Sequence, residues 1–519
     1  MIRLSELTPI YIVGGAVRDS KIGVPSRDLD AVTTLPLTDL ADTLRNWGFH
    51  PHVLGSGKQT VTVFHDNARL DLSWFDGDVA VDALHRDFTI NALYQHPRTG
   101  TIIDPLAGEA DLRSKVLRSC GKAEECFRED PVRILRLVRL ATAFGLSVEE
   151  ETMHKAGQEM PALATTAPER FTDELAKILM LGEAVRAVRL LNKLGYFQHY
   201  IPELARLQGL VQNRYHAKDA WEHTLHVLQN TEPKLLLRLA ALFHDLGKWE
   251  TASQESLVAG KLEERGGHFW VGNYKLIGKV HERWRGKYVV IRGGCLDFYP
   301  DTIQVKKIQP AAPDRSGFSW VTEGKRHFLG HEKESVRLAK QILPRFRWSM
   351  YLQLPERKGE AELLYLIGNH MDGTLTFMNE LRGNMNEKDI RQKAISFAWA
   401  HGWTGRTFIP DRVFDLLALW RADFFGGKER EPGDSERLET IVSAINTACR
   451  NIEQKLAAFK WETLNRFAGT VSLARENYGR FKEHIIRRTV FEDISWDDEG
   501  LLQRELRAFN ATPPAWRKR

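Results

Sequence analysis

The sequence predicts an α+β protein, in which a mixed α/β N-terminal region precedes a mostly helical remainder that contains one β-rich segment. Three observations support this fold class. Short strand-like stretches and turns fill residues 1–120, apolar residues at helical spacing dominate from about residue 127 onward, and glycine-bounded strand-like stretches return at about 249–326. The chain of 519 residues is long enough for roughly two to four domains.

Composition excludes several classes of protein. Apolar residues make up 43% of the chain and charged residues 27%, which excludes a mainly disordered or collagen-like chain. We find no signal peptide and no apolar stretch of the roughly 20 residues that span a bilayer, so no membrane partner is expected. The four cysteines include no CxxC pair, which favours a cytoplasmic location. The net charge of +5 permits a polyanionic partner.

The N-terminal region is predicted to contain four strands and a phosphate-binding turn. Gly14 and Gly15 lie between a strand and a helix, where backbone N–H groups can approach a phosphate chain closely. Arg18, one turn further along, would hold a terminal phosphate. The alternative interpretation of the glycine pair is a simple tight turn. The predicted strands cover residues 9–13, 28–30, 59–64 and 68–75.

Three aspartates on these predicted strands form a candidate metal site. Asp28 and Asp30 are two positions apart, so their carboxylates would point to the same face of a strand. Asp71 alternates with two leucines and would leave the apolar face that they cover. Like charges this close are unfavourable unless cations neutralise them, and carboxylate oxygens suit Mg²⁺. A pair of such ions assists phosphoryl or nucleotidyl transfer.

The first predicted helix of the following region carries a second pair of candidates. Residues 129–144 place apolar residues at helical spacing, with Pro131 where a first-turn proline is tolerated. Asp130 and Arg133 would share one helix face and present an acceptor beside a planar donor fork. The alternative is a surface ion pair of little energetic weight. Arg136 would continue the basic face towards phosphates or solvent.

Histidines and an aspartate further along the chain form a second candidate metal site. His223 lies on one predicted helix, and the adjacent His244 and Asp245 follow about twenty residues later at the end of another. Such residues can gather around a divalent metal, as in metal-assisted phosphohydrolases. Further candidates are His327, His331, His370 and Asp372.

In this order, the motifs GGAVRD, DLD, HRDFTINAL, EDPVRILRLVRLA and ERFTDEL resemble those of the class II tRNA nucleotidyltransferase and bacterial poly(A) polymerase superfamily. The later motifs WEHTLHVL and LAALFHDLGK resemble an HD domain. The resemblance implies a polymerase-β-like nucleotidyltransferase head over residues 1–125 and a helical neck over 126–205. An HD domain over 206–375, with a β-rich insertion at about 249–326, and a helical C-terminal region over 376–519 would follow.

The resemblance also implies functional residues. The carboxylates would hold two Mg²⁺ ions, the glycine turn and HRDFTINAL would bind the nucleotide, and EDPVR would pair with the incoming base. His85 stands where the family usually has Arg. The implied residues are Asp28, Asp30 and Asp71 for catalysis and metal; Gly14, Gly15, Arg18, Arg86, Asp87, Asn91, Asp130, Arg133 and Arg136 for nucleotide; and His223, His244, Asp245 and His331 for a divalent metal at the HD site.

The activity implied by the resemblance is template-independent addition of C and A to the 3′ end of tRNA from CTP and ATP. A CC-adding enzyme is the nearest alternative, because only residues 76–85 separate the third carboxylate's strand from Arg86, and relatives with a shortened loop here add only two cytidines. A poly(A) polymerase and an HD-domain phosphohydrolase are further alternatives, and a non-catalytic RNA-binding protein is the last. Basic C-terminal helices would hold the tRNA body, although their aromatic residues also suit a core.

Overall fold

A computed structural model divides the chain into two units. One comprises Met1–Ala205, Pro233–Leu235 and Gln341–Gln353, and the other Arg206–Glu232, Leu236–Lys340 and Leu354–Arg519. The structure describes every residue except 26–27, 55–59, 66–67, 211–218, 255–256, 272–273, 278–284, 286–287, 293–294, 299–300, 305–306, 311–319, 323–325, 355–356, 428–432, 472–474, 493, 495, 497 and 512–519.

A seven-stranded mixed sheet supports the N-terminal unit, in the order β3-β4-β5-β2-β1-β6-β7. Only β2 and β5 are parallel among its neighbouring strands, and β8 and β9 form a separate parallel pair. The predicted strands at 9–13, 28–30, 59–64 and 68–75 are confirmed as β1, β2, β4 and β5. The strands are β1 (Ile10–Val13), β2 (Asp28–Thr33), β3 (His52–Leu54), β4 (Thr60–His65), β5 (Ala68–Trp74), β6 (Tyr94–Gln95), β7 (Ile102–Ile103), β8 (Val116–Leu117) and β9 (Ser147–Val148).

Helices pack against this sheet, and after it the chain of the N-terminal unit is mainly helical. Alternation along β4 and β5 buries Val61 and Leu72 against Leu40 and Leu44 of α2, which gives the sheet its core. The helices are α1 (Gly15–Lys21), α2 (Leu37–Asn46), α3 (Val79–Leu84), α4 (Gly108–Ser114), α5 (Ala123–Glu129), α6 (Val132–Ala143), α7 (Glu150–Gln158), α8 (Pro168–Leu179), α9 (Ala184–Lys193), α10 (Tyr196–Tyr200) and α11 (Pro202–Ala205). Short 3-10 helices cover residues 4–6, 89–91, 160–165, 343–345 and 348–350.

The helix predicted over 129–144 is interrupted near its start. Helix α5 ends at Glu129, and α6 begins at Val132 after Pro131. Asp130 between them is extended, with φ −145° and ψ 96°. The physical reason is steric, because a proline ring disfavours the helical conformation of the residue before it. Asp130 therefore lies outside the helix that carries Arg133, and the predicted placement of both on one helix face is wrong.

The rest of the chain is mainly helical. None of the described helices is long and apolar enough to cross a membrane. The helices are α12 (Ala220–Gln229), α13 (Leu235–Phe243), α14 (Lys248–Thr251), α15 (His331–Ile342), α16 (Gly359–Asn369), α17 (Asp372–Thr376), α18 (Met378–Leu381), α19 (Glu387–Gly402), α20 (Pro410–Gly426), α21 (Asp434–Ala457), α22 (Trp461–Thr470), α23 (Arg475–Glu492) and α24 (Glu499–Ala511).

Strands fill the chain between α14 and α15. Eight of them form one sheet, in which β18 pairs with β11 beside the path β16-β15-β14-β11-β12-β13-β17. These strands are β10 (Ser253–Gln254), β11 (Leu257–Arg265), β12 (His268–Val271), β13 (Tyr274–Ile277), β14 (Tyr288–Arg292), β15 (Cys295–Phe298), β16 (Asp301–Gln304), β17 (Lys307–Pro310), β18 (Trp320–Thr322) and β19 (Arg326–His327). Two further short strands, β20 (Gln353–Leu354) and β21 (Arg357–Lys358), lie between α15 and α16.

Candidate functional site

The glycine turn of the N-terminal unit lies directly against one of the candidate carboxylates. Gly14 caps α1 with φ 79°, a left-handed conformation that favours glycine. A Cβ atom at this position would lie 3.5 Å from Oδ2 of Asp30. The antiparallel pairing of Val13 with Asp30 explains this proximity, because it sets the end of β1 beside the middle of β2. The turn thus brings backbone N–H groups and a carboxylate to one place.

The parallel register of β2 and β5 brings two candidate carboxylates side by side. Asp30 pairs with Asp71, whereas Asp28 pairs with Arg69. Asp30 is exposed to solvent, yet desolvation by the surrounding protein and then the charge of Asp71 raise its pKa. Asp71 accepts a hydrogen bond from Thr62 Oγ1 at 2.7 Å. Two like-charged carboxylates therefore lie side by side on neighbouring strands, as the residue pattern predicts for a cation site.

The three carboxylates are less closely gathered than the ligands of a single ion. Among the described residues, sets of three metal-ligating atoms within 4.8 Å of one another occur only in the second unit. Asp28 lies at the first position of β2, two residues before Asp30 and therefore on the same face. A cation at Asp30 and Asp71 would need to draw in Asp28, or Asp28 would serve a second ion.

A buried polar network connects the predicted nucleotide-binding residues. Arg18 Nη1 donates to Asn91 Oδ1 at 2.6 Å, and Asn91 Nδ2 donates to Asp87 Oδ1 at 3.0 Å. The other oxygen of Asp87 lies 2.6 Å from Nη2 of Arg136. Burial alone would raise the pKa of Asp87, but the Arg136 guanidinium and the hydrogen bond from Asn91 hold it below its usual value. The network joins α1, the 3-10 helix at 89–91 and α6.

Two of the predicted phosphate ligands already have protein partners. Arg18 is only 7% exposed, donates to Asp19 Oδ1, and lies over the ring of Phe144 at 4.4 Å. Arg86 forms an ion pair with Asp82 at 2.8 Å and donates from Nε to the Tyr94 hydroxyl at 2.9 Å. Both guanidiniums are therefore fixed in position, and a phosphate would have to add to these contacts or replace them.

The two predicted base-pairing residues are held by separate partners. Asp130 Oδ2 lies 2.7 Å from Nη2 of Arg170. Arg133 Nη1 donates to Glu129 Oε2 at 2.9 Å, and its Nη2 donates to the His85 carbonyl at 2.7 Å. Arg170 belongs to the motif ERFTDEL, but the motif predicts no role for this residue by itself. The order of the motifs along the chain does not predict that Arg170 lies opposite Asp130.

A cluster of buried histidines and aspartates forms the centre of the second unit. His223 lies on α12, and His244 and Asp245 follow α13 directly. Nε2 of His223 lies 3.3 Å and Nε2 of His244 3.2 Å from Oδ2 of Asp245. Nε2 of His331, the first residue of α15, lies 3.3 Å from the other oxygen, Oδ1. The four predicted ligands of this metal site thus meet around one carboxylate.

Three further side chains complete this cluster. Asp423 Oδ1 on α20 lies 2.9 Å from His223 Nε2. His370, which follows α16, has its Nε2 3.2 Å from that of His331. Lys248 Nζ lies 2.6 Å from Asp245 Oδ2. The sequence named His370 as a candidate but gave no signal for Asp423, because 178 residues separate it from Asp245 and no local motif surrounds it.

The remaining histidine-site candidates lie elsewhere. Asp372 has Oδ2 3.6 Å from His401 Nε2 and so belongs to a neighbouring contact. The side chain of His327 lies outside the described residues.

Burial and the neighbouring imidazoles lower the pKa of His370 to about 3, so this imidazole is neutral at physiological pH. A neutral imidazole is the form that binds a metal.

Two parts of the N-terminal unit match known protein families. Residues 10–118 match the family described as "Poly A polymerase head domain". Residues 145–207 match the one described as "Probable RNA and SrmB- binding site of polymerase A". The first range holds the glycine turn and all three carboxylates, and the second holds Arg170.

Two curated proteins are similar to about half of this chain. The Multifunctional CCA protein of Laribacter hongkongensis is 34% identical over 270 residues, which cover 47% of this chain and 64% of that protein. The CC-adding tRNA nucleotidyltransferase of Thermus thermophilus is 35% identical over 248 residues, which cover 46% of this chain and 56% of that protein. The chain thus spans less than two thirds of the length of either relative. These matches confirm the resemblance to the class II tRNA nucleotidyltransferase and bacterial poly(A) polymerase superfamily.

A solved structure extends the likeness of fold along the chain. The Thermotoga maritima CCA-adding enzyme complexed with tRNA has a TM-score of 0.53 at 16% identity, and the alignment covers 97% of this chain and 92% of that one. At this level of identity the likeness is one of fold.

Proposed function

We propose that the protein is a template-independent nucleotidyltransferase that adds C and A nucleotides to the 3′ end of tRNA from CTP and ATP. The observation that carries this proposal is the pairing of Asp30 with Asp71 beside the Gly14 turn. The tRNA 3′-hydroxyl would attack the α-phosphate of the nucleotide, and pyrophosphate would leave. The names of the curated relatives, which print CCA and CC addition, support the same activity.

The carboxylates fit Mg²⁺ by their chemistry. Oxygen ligands suit this hard cation. Desolvation and then the negative charge of Asp71 raise the pKa of Asp30, and a bound cation would offset this charge. Asp28, Asp30 and Asp71 would hold two ions. When bound, Mg²⁺ supplies charge neutralisation at the attacking and leaving oxygens. The protein's own part is to present the carboxylates on one face and to set the glycine turn next to the triphosphate.

Selection of the base would fall to Asp130 and Arg133. The side chains present acceptor and donor groups that can pair with the Watson–Crick edge of a nucleotide, and a site of this kind rejects a base that leaves buried groups unpaired. Arg170 and Glu129 would keep the two side chains in place until the base arrives. Arg18, Arg86, Asp87, Asn91 and Arg136 would position the triphosphate and sugar.

Two substitutions test the catalytic assignment. Asp28→Ala and Asp30→Ala should each abolish incorporation of labelled nucleotide into tRNA while the far-ultraviolet circular dichroism stays that of the wild type. Asp39→Ala, an exposed acidic residue on α2, is the matched control and should leave incorporation unchanged. Near-normal incorporation by either of the first two variants would refute the metal assignment.

The same assay identifies the product. Transcripts that end before CCA, after C and after CC are offered CTP or ATP separately, and product lengths are read on a gel. Extension by two C residues and one A supports CCA addition, and two C residues alone support CC addition. A long A ladder would assign the chain to poly(A) polymerase instead. Absence of any extension, with the protein folded, would leave a non-catalytic RNA-binding role.

One structural feature favours CC addition as the second candidate. Of the ten residues 76–85, six form helix α3, which the Asp78 side chain caps by accepting from the N–H groups of Ala80 and Val81. This connection is short and regular, where CCA-adding members of the family are expected to carry a longer flexible loop. The T. thermophilus relative, named as a CC-adding enzyme, is consistent with this alternative.

We further propose an HD domain over residues 206–375 with its strand-rich insertion at about 249–326, preceded by a head over 1–125 and a neck over 126–205. The helical region 376–519 would hold the tRNA body. A metal-dependent phosphohydrolase activity is supported by the cluster of His223, His244, Asp245 and His331. The test is release of phosphate from p-nitrophenyl phosphate. This release should be lost when the metal is chelated and in the His244→Ala variant. Three buried free thiols support a cytoplasmic location.

A further inference from the structure

We propose that Phe64, on the open face of the head sheet, is a stacking platform for the last base of the RNA strand that the enzyme extends. This inference deepens the proposed nucleotidyl transfer and rests on it. It assigns a place to the RNA 3′ end, which the carboxylates and the glycine turn leave open. Phe64 is 65% exposed, although it belongs to the strand β4. A single exposed apolar side chain is common on protein surfaces, and it is the position of Phe64 that distinguishes it.

Phe64 lies on the same face of the sheet as the candidate carboxylates. On β5, the Arg69 guanidinium contacts both oxygens of the Asp71 carboxylate, at 3.1 and 2.8 Å. The antiparallel pairing of β4 with β5 sets Thr62 opposite Asp71 and, two residues further along, Phe64 opposite Arg69. Thr62 Oγ1 donates a hydrogen bond to Asp71, so Thr62 and Asp71 share a face. Phe64 shares it too, because alternate residues of a strand point to the same side.

Phe64 is therefore the diagonal neighbour of Asp71 across these two strands. Diagonal neighbours in an antiparallel sheet lie roughly 7–8 Å apart. This separation is comparable to the length of one nucleoside. A 3′-hydroxyl placed at the carboxylates would thus leave the base of the same nucleotide over the Phe64 ring.

The order of the strands sets the direction from which the RNA would arrive. The Gly14 turn, which follows β1, would hold the triphosphate beside Asp30 of β2. The strands β5, β4 and β3 lie on the other side of β2. In nucleotidyl transfer the attacking oxygen and the leaving pyrophosphate lie roughly in line, on opposite sides of the α-phosphate. Since pyrophosphate leaves on the β1 side, the 3′-hydroxyl arrives from the β5 side, and its nucleotide lies over β5 and β4.

The side chains around Phe64 suit a nucleic acid strand. The His52 ring on β3 contacts the Phe64 ring in an edge-to-face arrangement, with the ring centroids 6.4 Å apart. Arg69 is 46% exposed, and its guanidinium has more donors than the contact with Asp71 uses, so it can also bind a phosphate. An aromatic ring beside a basic group binds single-stranded nucleic acid with little dependence on the base. This tolerance suits an enzyme that extends different 3′ ends in succession.

Kinetics of the full chain separate binding of RNA from binding of nucleotide. Phe64→Ala should lower kcat/KM for a tRNA transcript that ends before CCA by about tenfold to a hundredfold, the range expected when one base–aromatic stack is lost. KM for CTP should stay that of the wild type, because the triphosphate lies on the other side of the carboxylates. Phe64→Trp should retain activity, since it keeps an aromatic face.

Trp74→Ala is the matched control. Trp74 is also an exposed aromatic residue of this sheet, at 51%, but it lies three positions after Asp71 on β5 and therefore on the opposite face. Its removal should leave kcat/KM for the transcript unchanged. Wild-type kcat/KM in Phe64→Ala, or an equal loss in Trp74→Ala, would overturn the inference.

A cross-linking experiment on the wild-type chain requires no turnover. A tRNA whose last nucleotide is iodocytidine is bound to the protein and irradiated, and the modified residue is identified by mass spectrometry. Iodinated pyrimidines cross-link to aromatic side chains that stack on them, so we expect the adduct on Phe64. An adduct on another residue, or none, would overturn the inference even if nucleotide is incorporated. An adduct on Phe64 without any incorporation would keep the RNA platform and refute the proposed nucleotidyl transfer.

Discussion

The like-charged pair in the head leads to a prediction that separates folding from catalysis. Asp71→Asn removes one of two carboxylates that lie side by side on the parallel strands β2 and β5. Burial and the charge of Asp71 raise the pKa of Asp30, so the wild-type chain tolerates repulsion at this site until a cation arrives. We expect the variant to fold as well as the wild type without metal and to lose both its response to Mg²⁺ and its activity.

Three contributions set the magnitude without metal. Like charges on neighbouring strands cost roughly 0.2–1 kcal/mol, which the variant recovers. The ion pair of Asp71 with Arg69, at 2.8 Å, is lost, but Arg69 is 46% exposed, so this pair contributes about 0–1 kcal/mol. The asparagine oxygen can still accept the hydrogen bond that Thr62 donates at 2.7 Å. The free energy of opening the sheet should therefore change by less than about 1 kcal/mol.

In the presence of Mg²⁺ the stabilities of the wild type and the variant should differ. A ligand that binds only the folded state at about ten times its Kd stabilises that state by roughly 1.4 kcal/mol. The wild-type sheet should gain this amount, whereas the variant, with a carboxylate ligand removed, should gain less than half of it. Because 1.4 kcal/mol corresponds to about a tenfold change in an equilibrium constant, hydrogen exchange can resolve the difference.

The assay is hydrogen exchange of the full chain, read by mass spectrometry on peptides that cover 28–33 and 68–74. Local exchange is preferable to a melting curve, because the chain contains two units and need not unfold in one step. Asp42→Asn, in a surface ion pair with Arg45, is the control and should respond to Mg²⁺ like the wild type. Equal protection by Mg²⁺ in Asp71→Asn and wild type would refute the assignment of Asp71 to the metal site.

The sign of the pH dependence follows from the raised pKa of Asp30. A carboxyl whose pKa is raised on folding destabilises the native state above that pKa and has no effect below its unfolded value of 3.8. Asp71→Asn should lower the pKa of Asp30 and so reduce the destabilisation at neutral pH. The part of the difference between variant and wild type that comes from Asp30 should disappear below about pH 3.8. A difference that grows on acidification would contradict this electrostatic origin.

Three further substitutions test other parts of the structure. Arg136→Ala leaves the buried Asp87 without its ion-pair partner and should destabilise the head by about 1–2 kcal/mol in hydrogen exchange of peptides from the head, less than for a fully buried pair because Arg136 is 41% exposed. Since the pKa of Asp87 is lowered on folding, this loss should shrink when the pH falls below 3.8, the ordinary pKa of the carboxyl group. Arg170→Ala frees Asp130 and should reduce discrimination against UTP and GTP about tenfold in single-nucleotide incorporation, with stability changed by less than about 1 kcal/mol. Gly373→Ala places a methyl group 2.2 Å from a tryptophan ring and should lower the stability of the second unit by about 1–3 kcal/mol in hydrogen exchange of peptides from α17 and α20.

Each of these substitutions has a control or a contrary outcome. Arg45→Ala, in an exposed pair, should not destabilise the head as Arg136→Ala does. Unchanged discrimination in Arg170→Ala would show that Asp130 keeps its position without the ion pair. Gly469 lies on α22, and among the described residues no heavy atom outside its own helix backbone and chain neighbours comes within 4 Å of the added Cβ. Gly469→Ala should therefore be neutral or stabilising by about 0.5–1 kcal/mol. Equal effects of the two glycine substitutions would contradict the steric argument.

Four of the seven strands in the sheet of the head follow from local sequence rules. Alternation along β4 and β5 and the glycine pair after β1 give their positions, and the two-residue spacing of Asp28 and Asp30 gives their common face. The break at Asp130 was missed for a physical reason. Pro131 was interpreted only as a tolerated first-turn residue, whereas its ring also forces the preceding residue out of the helical conformation.

The histidine cluster shows where local rules end. His244 and Asp245 are adjacent and therefore visible in the sequence, but Asp423 joins them only through the packing of α12 against α20. A lone aspartate on a helix has no pattern that distinguishes it from a solvated residue, so only the tertiary structure identifies it. The same holds for Arg170, whose relation to Asp130 spans 40 residues.

The two acidic centres of the chain balance their charge in different ways, and this difference bears on their metals. In the head, the guanidiniums of Arg69, Arg86 and Arg136 offset the charge of Asp30, and such groups cannot give up a proton or bind a cation. In the second unit, the ammonium group of Lys248 and several imidazoles surround Asp245, and imidazoles can become metal ligands. A cation in the head would be bound by carboxylate oxygens, and oxygen ligands suit Mg²⁺. The imidazole-rich centre would retain a transition metal through purification, so added Mg²⁺ should restore the head after chelation but not the second unit.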